Sequence, residues 1–193
     1  MMAITDFTVP GAAYDLGKLW FLVVNENPHM LRLLESMLRG LGVTRISAMR
    51  DAEAALVPEN IGGVDIVLSD WMLAPISSEE FVRRIRARKP DQISFVPIIQ
   101  MSGSTRISDV ERLRDAGVTE FIGLPVSPKL LYERIVYAIE HPRPFIDAPG
   151  YFGPDRRRKT RKTYSGKDRR LNLPDPVDLS GGKTLTHDLA KAG

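Results

Sequence analysis

The feature that most constrains the fold of this sequence is a fivefold alternation of short apolar runs with amphipathic segments. The apolar runs are typical of strands, and the segments after them carry apolar residues at helical spacing. The predicted strands span residues 19–24, 43–48, 64–69, 94–102 and 120–124, and the predicted helices lie within residues 28–42, 51–57, 77–89, 108–117 and 127–140. Because the strands are apolar on both faces, they predict an open five-stranded parallel sheet, doubly wound with helices on each side.

In such an α/β domain the functional site lies at the carboxyl ends of the strands. The residues that follow the predicted strands are Asn25 and Glu26 after the first, Asp70 after the third, Ser102 after the fourth, and Leu124 and Pro125 after the fifth. The order and spacing of these residues are similar to those of a known family of domains.

Over about residues 18–140 the chain resembles the receiver domain of two-component response regulators, which has the flavodoxin-like or CheY-like fold. The resemblance implies that Asp70 accepts a phosphoryl group, and that Ser102 and Phe121 respond to it as switch residues. It also implies that Glu26 and Asp70 are the remaining ligands of a magnesium ion.

Two departures from the family pattern weaken the implied phosphoryl chemistry. Leu124 stands where the family has a lysine, and Asn25 replaces the first residue of its acidic pair. Phosphoryl transfer depends almost wholly on positioned charge, and magnesium prefers carboxylate oxygens. We therefore expect Asp70 to phosphorylate poorly, and magnesium to be a cofactor only if this degenerate site is active.

The charge of the chain is uneven. Residues 151–170 hold nine lysines and arginines and two aspartates, a net charge of +7, within a chain whose net charge is +3. Residues 1–17 are expected to be flexible, and residues 141–193, rich in proline, glycine and charge, to form a largely disordered tail. The chain has no cysteine, three scattered histidines and no apolar run of membrane-spanning length, so we expect a cytoplasmic protein that does not insert into membranes. Because the sequence shows no nucleophile–base pair or metal constellation, we do not expect an enzyme.

The basic segment contains one motif twice. Tyr-x-Gly-x-Asp-Arg-Arg occurs at residues 151–157 and again at 164–170, and we call these the first and second copies. An arginine can donate two hydrogen bonds to O6 and N7 of guanine, a carboxylate can accept from its N1–H and 2-amino group, and tyrosine can stack on its face. Two such copies predict a ligand with two guanines and two phosphates, namely cyclic di-GMP, which readily forms an intercalated dimer. The predicted binding residues are Tyr151, Gly153, Pro154, Asp155, Arg156, Arg157, Arg158, Tyr164, Gly166, Asp168, Arg169 and Arg170.

A CheY-like domain followed by "GPDRR" and "GKDRR" resembles the Cle family of CheY-like cyclic-di-GMP effectors, most closely the CleD type. The resemblance implies cyclic di-GMP binding through the arginine-rich segment, interaction with a flagellar motor switch protein (FliM-like), and control of motility and surface attachment. The ordered tail would either contact that partner itself or clamp against the receiver.

Two other functions stay open at this point. One is a phospho-regulated single-domain response regulator that uses Asp70. The other is nucleic-acid binding by the basic tail, which explains the charge but not the aspartate in each copy, because a carboxylate opposes binding to a polyphosphate.

Overall fold

The computed structural model describes residues 14–89, 91–103 and 106–157 of the 193 in the chain. The strands and helices, in chain order, are β1 Trp20–Val24, α1 Pro28–Gly40, β2 Arg45–Met49, α2 Ala52–Ala55, α3 Pro58–Ile61, β3 Ile66–Asp70, α4 Ser78–Arg86, β4 Ile98–Ser102, α5 Ile107–Ala116, β5 Glu120–Gly123, α6 Pro128–Glu140, β6 Phe145–Ala148 and β7 Tyr151–Pro154. Single 3₁₀ turns precede β1 at Leu16–Lys18 and β4 at Gln92–Phe95.

The predicted five-stranded parallel doubly wound sheet is confirmed. The strands run parallel in the order β2-β1-β3-β4-β5. All five residues of β4 and the first four of β3 are buried, as expected for strands covered on both faces. The chain reverses its direction of winding between β1 and β3, so the carboxyl ends of these two strands border the crevice where ligands bind in such sheets.

Helices α1, α2, α4 and α6 begin where a side chain caps the first turn. Asn27 accepts hydrogen bonds from the backbone amides of His29 and Met30 at the start of α1, and Ser127 accepts one from Leu130 at the start of α6. The single helix predicted at 51–57 is instead two short helices, α2 and α3. Val57 has extended dihedrals there because the residue before a proline is pushed out of the helical region.

Two apolar clusters fill the space on the two faces of the sheet. On one face, α1 and α6 pack Leu34, Leu38, Leu131 and Ile135 against the strands. On the other, α2 to α5 contribute residues such as Phe81. None of the helices within the described residues is both long and apolar enough to cross a membrane.

The structure differs from the prediction of a flexible N-terminus over residues 14–17. Leu16 is fully buried, the backbone amide of Tyr14 donates to the Tyr132 hydroxyl at 3.2 Å, and the Tyr14 hydroxyl donates to Glu140. These residues are ordered because α6, more than a hundred residues later, supplies their partners. Residues 1–13 lie outside the described residues.

A second correction concerns the predicted disordered tail. Residues 145–154 form an antiparallel hairpin, β6 paired with β7, which turns at Gly150 with φ of 78°. Phe145 and Phe152 place their ring centroids 5.0 and 5.2 Å from that of Phe95 on the receiver body. The segment lacks enough apolar residues to order itself, and it folds because the body supplies the missing apolar partner. Residues 158–193 lie outside the described residues.

The hairpin covers a buried arginine at the end of α4. Arg86 is 2% exposed and donates five hydrogen bonds, to the carbonyls of Gly117, Ser94 and Val96 and to the Thr119 hydroxyl. Burial lowers the pKa of Arg86 to about 9, which leaves it charged at neutral pH. The Phe145 ring lies 5.2 Å from its guanidinium carbon, so the hairpin completes the enclosure of this charge.

Candidate functional site

Asp70 ends β3 at the carboxyl edge of the sheet, with Asn25 beside it at the end of β1. Asp70 Oδ2 accepts a hydrogen bond from Asn25 Nδ2 at 2.9 Å, and Asp70 Oδ1 accepts one from the Trp71 amide at 2.7 Å. Both oxygens of the predicted phosphoacceptor therefore have donors in the resting structure.

The orientation of the Asn25 amide follows from its second contact. Its Oδ1 accepts a hydrogen bond from the Asn27 backbone amide at 2.8 Å, and a backbone N–H can only donate. The Nδ2 group must therefore point at Asp70. Asn25, 1% exposed, thus presents two hydrogens where the family pattern has a carboxylate.

Partial burial raises the pKa of the Asp70 carboxyl above its ordinary value. Hydrogen bonds from Trp71, Met72 and Asn25 act in the opposite direction, and the negative charge of Glu26 raises the pKa further. The net shift is upward, so the folded protein disfavours the charged form that a phosphoacceptor uses.

The residues at this edge do not fit a magnesium ion in the arrangement they adopt. Glu26 is exposed and Asp70 is engaged by Asn25 and Trp71, and the amide hydrogens of Asn25 face the carboxylate that would bind the ion. Within residues 14–89, 91–103 and 106–157, no group of three or more acidic, histidine or cysteine side chains is placed to hold a metal. Hard cations need oxygen ligands, and the Asn25 hydrogens repel them.

The other two predicted strand-end residues also lie at this edge. Ser102 ends β4 at 7% exposure, and its carbonyl accepts a hydrogen bond from the Leu124 amide at 3.1 Å. Leu124 is 38% exposed, so the position of the family's lysine carries an apolar side chain at the surface of the site. Phe121, on β5, is half-buried and packs against the apolar cluster under α2 to α5.

The described copy of the motif lies next to the C-terminal ends of α4 and α5. The Tyr151 hydroxyl donates to the Pro154 carbonyl at 2.6 Å, and Asp155 Oδ1 accepts from the Arg157 amide at 2.9 Å. A side chain at Gly153 would begin 2.9 Å from the Tyr151 hydroxyl and 3.2 Å from Gly117 Cα, so glycine is required by close approach. The motif thus specifies a compact turn at the end of β7.

Arg156 contacts both the hairpin and the receiver body. Its guanidinium carbon lies 4.3 Å from the centroid of the Tyr151 ring, and its Nη1 lies 3.0 Å from Asp115 Oδ1 on α5. The hairpin and the ends of α4 and α5 border a cavity of about 270 Å³ next to this pair, lined partly by Arg83, Lys89 and Phe152. The structure therefore brings Tyr151, Gly153, Pro154, Asp155, Arg156 and Arg157 together on the body. The other predicted binding residues, Arg158, Tyr164, Gly166, Asp168, Arg169 and Arg170, lie outside the described residues.

The sequence analysis missed the body residues that hold this copy. Besides Asp115, Arg143 donates to Glu120 at 3.2 Å and to the Asp155 carbonyl at 3.2 Å, and Glu120 is 2% exposed. The sequence did indicate that Arg86 is buried, because it follows Val82 by four residues and so lies on the apolar face of α4. Nothing in the spacing of Asp115 or Glu120 marked them.

The architecture and the strand-end residues agree with a comparison against protein-family models. Residues 21–136 match the model of the response regulator receiver domain. The chain belongs to this family. The predicted CheY-like receiver domain is thereby confirmed, whereas the roles of Glu26, Asp70, Ser102 and Phe121 stay predictions.

Individual relatives agree with this assignment. The chain is 24% identical over 114 residues to the chemotaxis protein CheY of Pseudomonas aeruginosa, covering 59% of this chain and 90% of that protein. The structure of the chemotaxis response regulator CheY4 of Vibrio cholerae superposes with a TM-score of 0.56 at 20% identity, over 61% of this chain and 96% of CheY4.

The receiver domain of the sensor histidine kinase PA1611 from Pseudomonas aeruginosa PAO1 matches at 28% identity and a TM-score of 0.55, over 62% of this chain and 94% of that domain. Its structure has a magnesium ion coordinated in the active site cleft. In all three comparisons the match leaves more than a third of this chain uncovered.

Proposed function

We propose that this receiver-family protein is a cyclic-di-GMP effector of the CleD type. Its basic tail binds the dinucleotide, and its CheY-like body engages a protein partner. The tail serves as the sensor and the body as the adaptor, in the cytoplasm and without catalysis. The partner is a flagellar motor switch protein (FliM-like), and the outcome is control of motility and surface attachment.

The observation that carries the proposal is the geometry of the first copy. The guanidinium carbon of Arg156 lies 4.3 Å from the centroid of the Tyr151 ring, and Asp155 precedes Arg156 in the chain. Such a set can read a guanine from three sides, since the ring stacks on a base face, the guanidinium donates to O6 and N7, and the carboxylate accepts from N1–H and the 2-amino group. The second copy repeats the same residue types in the same order.

Charge supports a dinucleotide that binds as an intercalated dimer. Two molecules of cyclic di-GMP bring four negative charges and four guanines, and residues 151–170 have a net charge of +7. We infer that the two copies close around one such dimer, and that Arg158 and the neighbouring lysines and arginines neutralise its phosphates.

The adaptor role rests on the face of the body formed by α5, β5 and α6. Phe121 lies on β5 within this face, and Leu124 at its edge is partly exposed. Arg143, two residues before β6, pairs with Glu120, which precedes Phe121 on β5. We infer that ligand binding by the tail is communicated to the partner through this contact.

Calorimetric titration of the full chain with cyclic di-GMP and cyclic di-AMP tests the proposal. We expect two molecules of cyclic di-GMP per chain and much weaker binding of cyclic di-AMP, whose adenine presents an acceptor at N1. In Asp155→Asn/Asp168→Asn each lost charge-assisted contact weakens cyclic di-GMP binding by about 10- to 150-fold. The matched control is Asp175→Asn/Asp178→Asn, which makes the same charge change in the same tail outside the two copies.

Equal binding of both dinucleotides by the native chain would contradict the proposal and leave only an electrostatic tail. Tighter cyclic di-GMP binding by the Asp155/Asp168 variant would do the same. Binding of duplex DNA with a steep salt dependence, in place of the dinucleotide, would favour the nucleic-acid function.

A phospho-regulated receiver is the second candidate, and the retention of Asp70 beside Ser102 at the sheet edge favours it. The Asn25 amide and the Leu124 side chain oppose it. Incubation with acetyl phosphate and magnesium distinguishes the two. Stoichiometric labelling that disappears in Asp70→Asn, or a beryllofluoride-induced spectral shift at Ser102 and Phe121, would establish phosphoregulation.

A further inference from the structure

Arg156 of the first copy has two partners in the described structure, one from the hairpin and one from the receiver body. The Tyr151 ring covers one face of its guanidinium, and Asp115 Oδ1 accepts from Nη1 at 3.0 Å. Burial raises the pKa of Asp115, but the hydrogen bond from Arg156 and the charges of Arg156 and Arg114 outweigh it, so the pKa lies below its ordinary value. Asp115 is therefore charged at neutral pH and is a true counter-ion of Arg156.

This contact obstructs the chemistry that the first copy would perform on a guanine or a phosphate. Asp115 accepts from Nη1, and Nη1 and Nη2 together form the end-on fork of the guanidinium, so an acceptor that approaches end-on competes with Asp115. A phosphate approaching Arg156 also meets the negative charge of Asp115 about one hydrogen-bond length away. We propose that Asp115 is an affinity-determining residue of the dinucleotide site, which competes with cyclic di-GMP for Arg156; this inference rests on the proposed function.

The base of the hairpin is packed firmly on the body, whereas its end is held by an exposed ion pair. Competition for Arg156 therefore affects only the end of the hairpin. Its base is fixed by the rings of Phe95, Phe145 and Phe152 and by the Arg143–Glu120 pair, whose side chains are 15% and 2% exposed. The Arg156–Asp115 pair at its end is 44% and 42% exposed, and exposed pairs are weak. A tetra-anionic ligand can therefore displace Asp115 while the base of the hairpin stays packed.

Displacement changes the receiver body at the end of α5. Asp115 is the penultimate residue of this helix, and the carbonyl of Gly117 just beyond it accepts from the buried Arg86. Ligand binding leaves the Asp115 carboxylate without Arg156, beside the face formed by α5, β5 and α6. The competition thus links occupancy of the tail to the charge of the face that we assign to the protein partner.

The test compares cyclic di-GMP affinities of full-length variants by calorimetry. Asp115→Asn keeps the shape of the side chain but removes its charge, so we expect binding about two- to fivefold tighter than in the native chain. Asp109→Asn is the matched control, since it removes one charge from the first turn of the same helix, where Asp109 faces Arg112 at 3.5 Å. Its affinity should stay near the native value.

Two outcomes separate this inference from the proposed function. If the native chain binds cyclic di-GMP but Asp115→Asn binds no more tightly than Asp109→Asn, the competition is refuted and the proposed function stands. If the native chain does not bind cyclic di-GMP, the proposed function fails. Amide hydrogen exchange without ligand then tests whether Asp115 holds Arg156 in place. Faster exchange over residues 151–157 in Asp115→Asn than in Asp109→Asn supports Asp115 as the anchor of Arg156, and equal exchange overturns it.

Discussion

At the scale of single residues, one amide changes the chemistry of the receiver edge. Asn25 has nearly the shape of an aspartate, and it is buried in the same place at the end of β1. Because its Oδ1 is committed to the Asn27 amide, it donates to Asp70 instead of sharing a cation with it. Together with Leu124, it removes two charges that the family pattern places at this edge. Burial raises the pKa of Asp70 there, although the hydrogen bond from Asn25 opposes that shift.

The raised pKa of Asp70 makes a prediction about stability. The folded state binds the proton more tightly than the unfolded state, so the contribution of Asp70 to the free energy of unfolding falls as the pH rises through its folded-state pKa. We expect the native chain to lose stability relative to Asp70→Asn as the pH rises above about 4, the reference pKa of aspartate, until the folded-state pKa is passed. Urea unfolding of both proteins across this range measures the difference.

The variant Glu59→Gln, which removes an exposed carboxylate at the start of α3, is the control for the loss of one negative charge away from the sheet edge. If the native chain instead gained stability relative to Asp70→Asn as the pH rises, the fold would lower the Asp70 pKa and the prediction would be wrong.

At the scale of elements, the hairpin and the end of α4 form one unit. Arg86 satisfies carbonyls from the 3₁₀ turn before β4 and from the loop after α5, and Phe145 of β6 covers it. The positive φ of Gly117, 111°, lets its carbonyl face Arg86, and the Arg86 side chain lies 3.0 Å from where a Cβ would begin. This arrangement joins three segments that the strand–helix alternation does not connect.

Replacement of Arg86 tests this unit. Arg86→Met keeps most of the volume but leaves the buried carbonyls of Gly117, Ser94 and Val96 without their donor. We expect a loss of at least about 3 kcal/mol in the free energy of unfolding, since each unsatisfied buried group costs about 1–3 kcal/mol. Urea denaturation measures it, and a loss below 1 kcal/mol would show that water or rearrangement satisfies these carbonyls.

The control for that experiment is Arg83→Met on the same helix. Arg83 pairs with Glu79 at 2.9 Å, and the two side chains are 49% and 36% exposed. Such a pair contributes about 0.3–0.5 kcal/mol, so this variant should remain close to native stability.

At the scale of the whole molecule, an acidic receiver body carries a basic tail. The nine lysines and arginines of residues 151–170 give that segment its net charge of +7, while the whole chain has a net charge of +3. The structure shows that the boundary between the two parts is residue 157 or beyond, because the first copy is packed on the body through Arg156 and Asp115. A truncation at residue 140 therefore removes part of the folded structure together with the segment that we propose binds the ligand.

Chain lengths chosen from the structure test the two-copy mechanism. A chain of residues 1–157 keeps the hairpin and the first copy but lacks the second, so we expect it to fold like the native protein and bind cyclic di-GMP at least about 100-fold more weakly. A peptide of residues 151–170 holds both copies without Asp115 and should bind. Calorimetry and circular dichroism of the three samples suffice. Native affinity in the 1–157 chain would show that the second copy is not needed.

Much of the body could be predicted from local pattern. The three central strands of the sheet, β1, β3 and β4, are apolar runs, and the two longest helices, α1 and α6, carry their own apolar stripe and capping residue. Strand ends in a parallel sheet meet at one edge, so the positions of Asn25, Asp70, Ser102 and Leu124 followed from their order alone. The motif at residues 151–157 could be recognised from the sequence alone because it occurs again at residues 164–170.

Only the tertiary structure decided the direction of the Asn25 amide, the burial of Arg86, the hairpin and the pairing of Arg156 with Asp115. The hairpin segment is too poor in apolar residues to predict its own order, and its stability comes from Phe95 and Arg86 on the body. Asp115 looks like any exposed aspartate on a helix until the chain returns to it after α6. These features depend on which distant residues meet, because charge, burial and hydrogen-bond partners are properties of a three-dimensional neighbourhood and leave no period in the sequence.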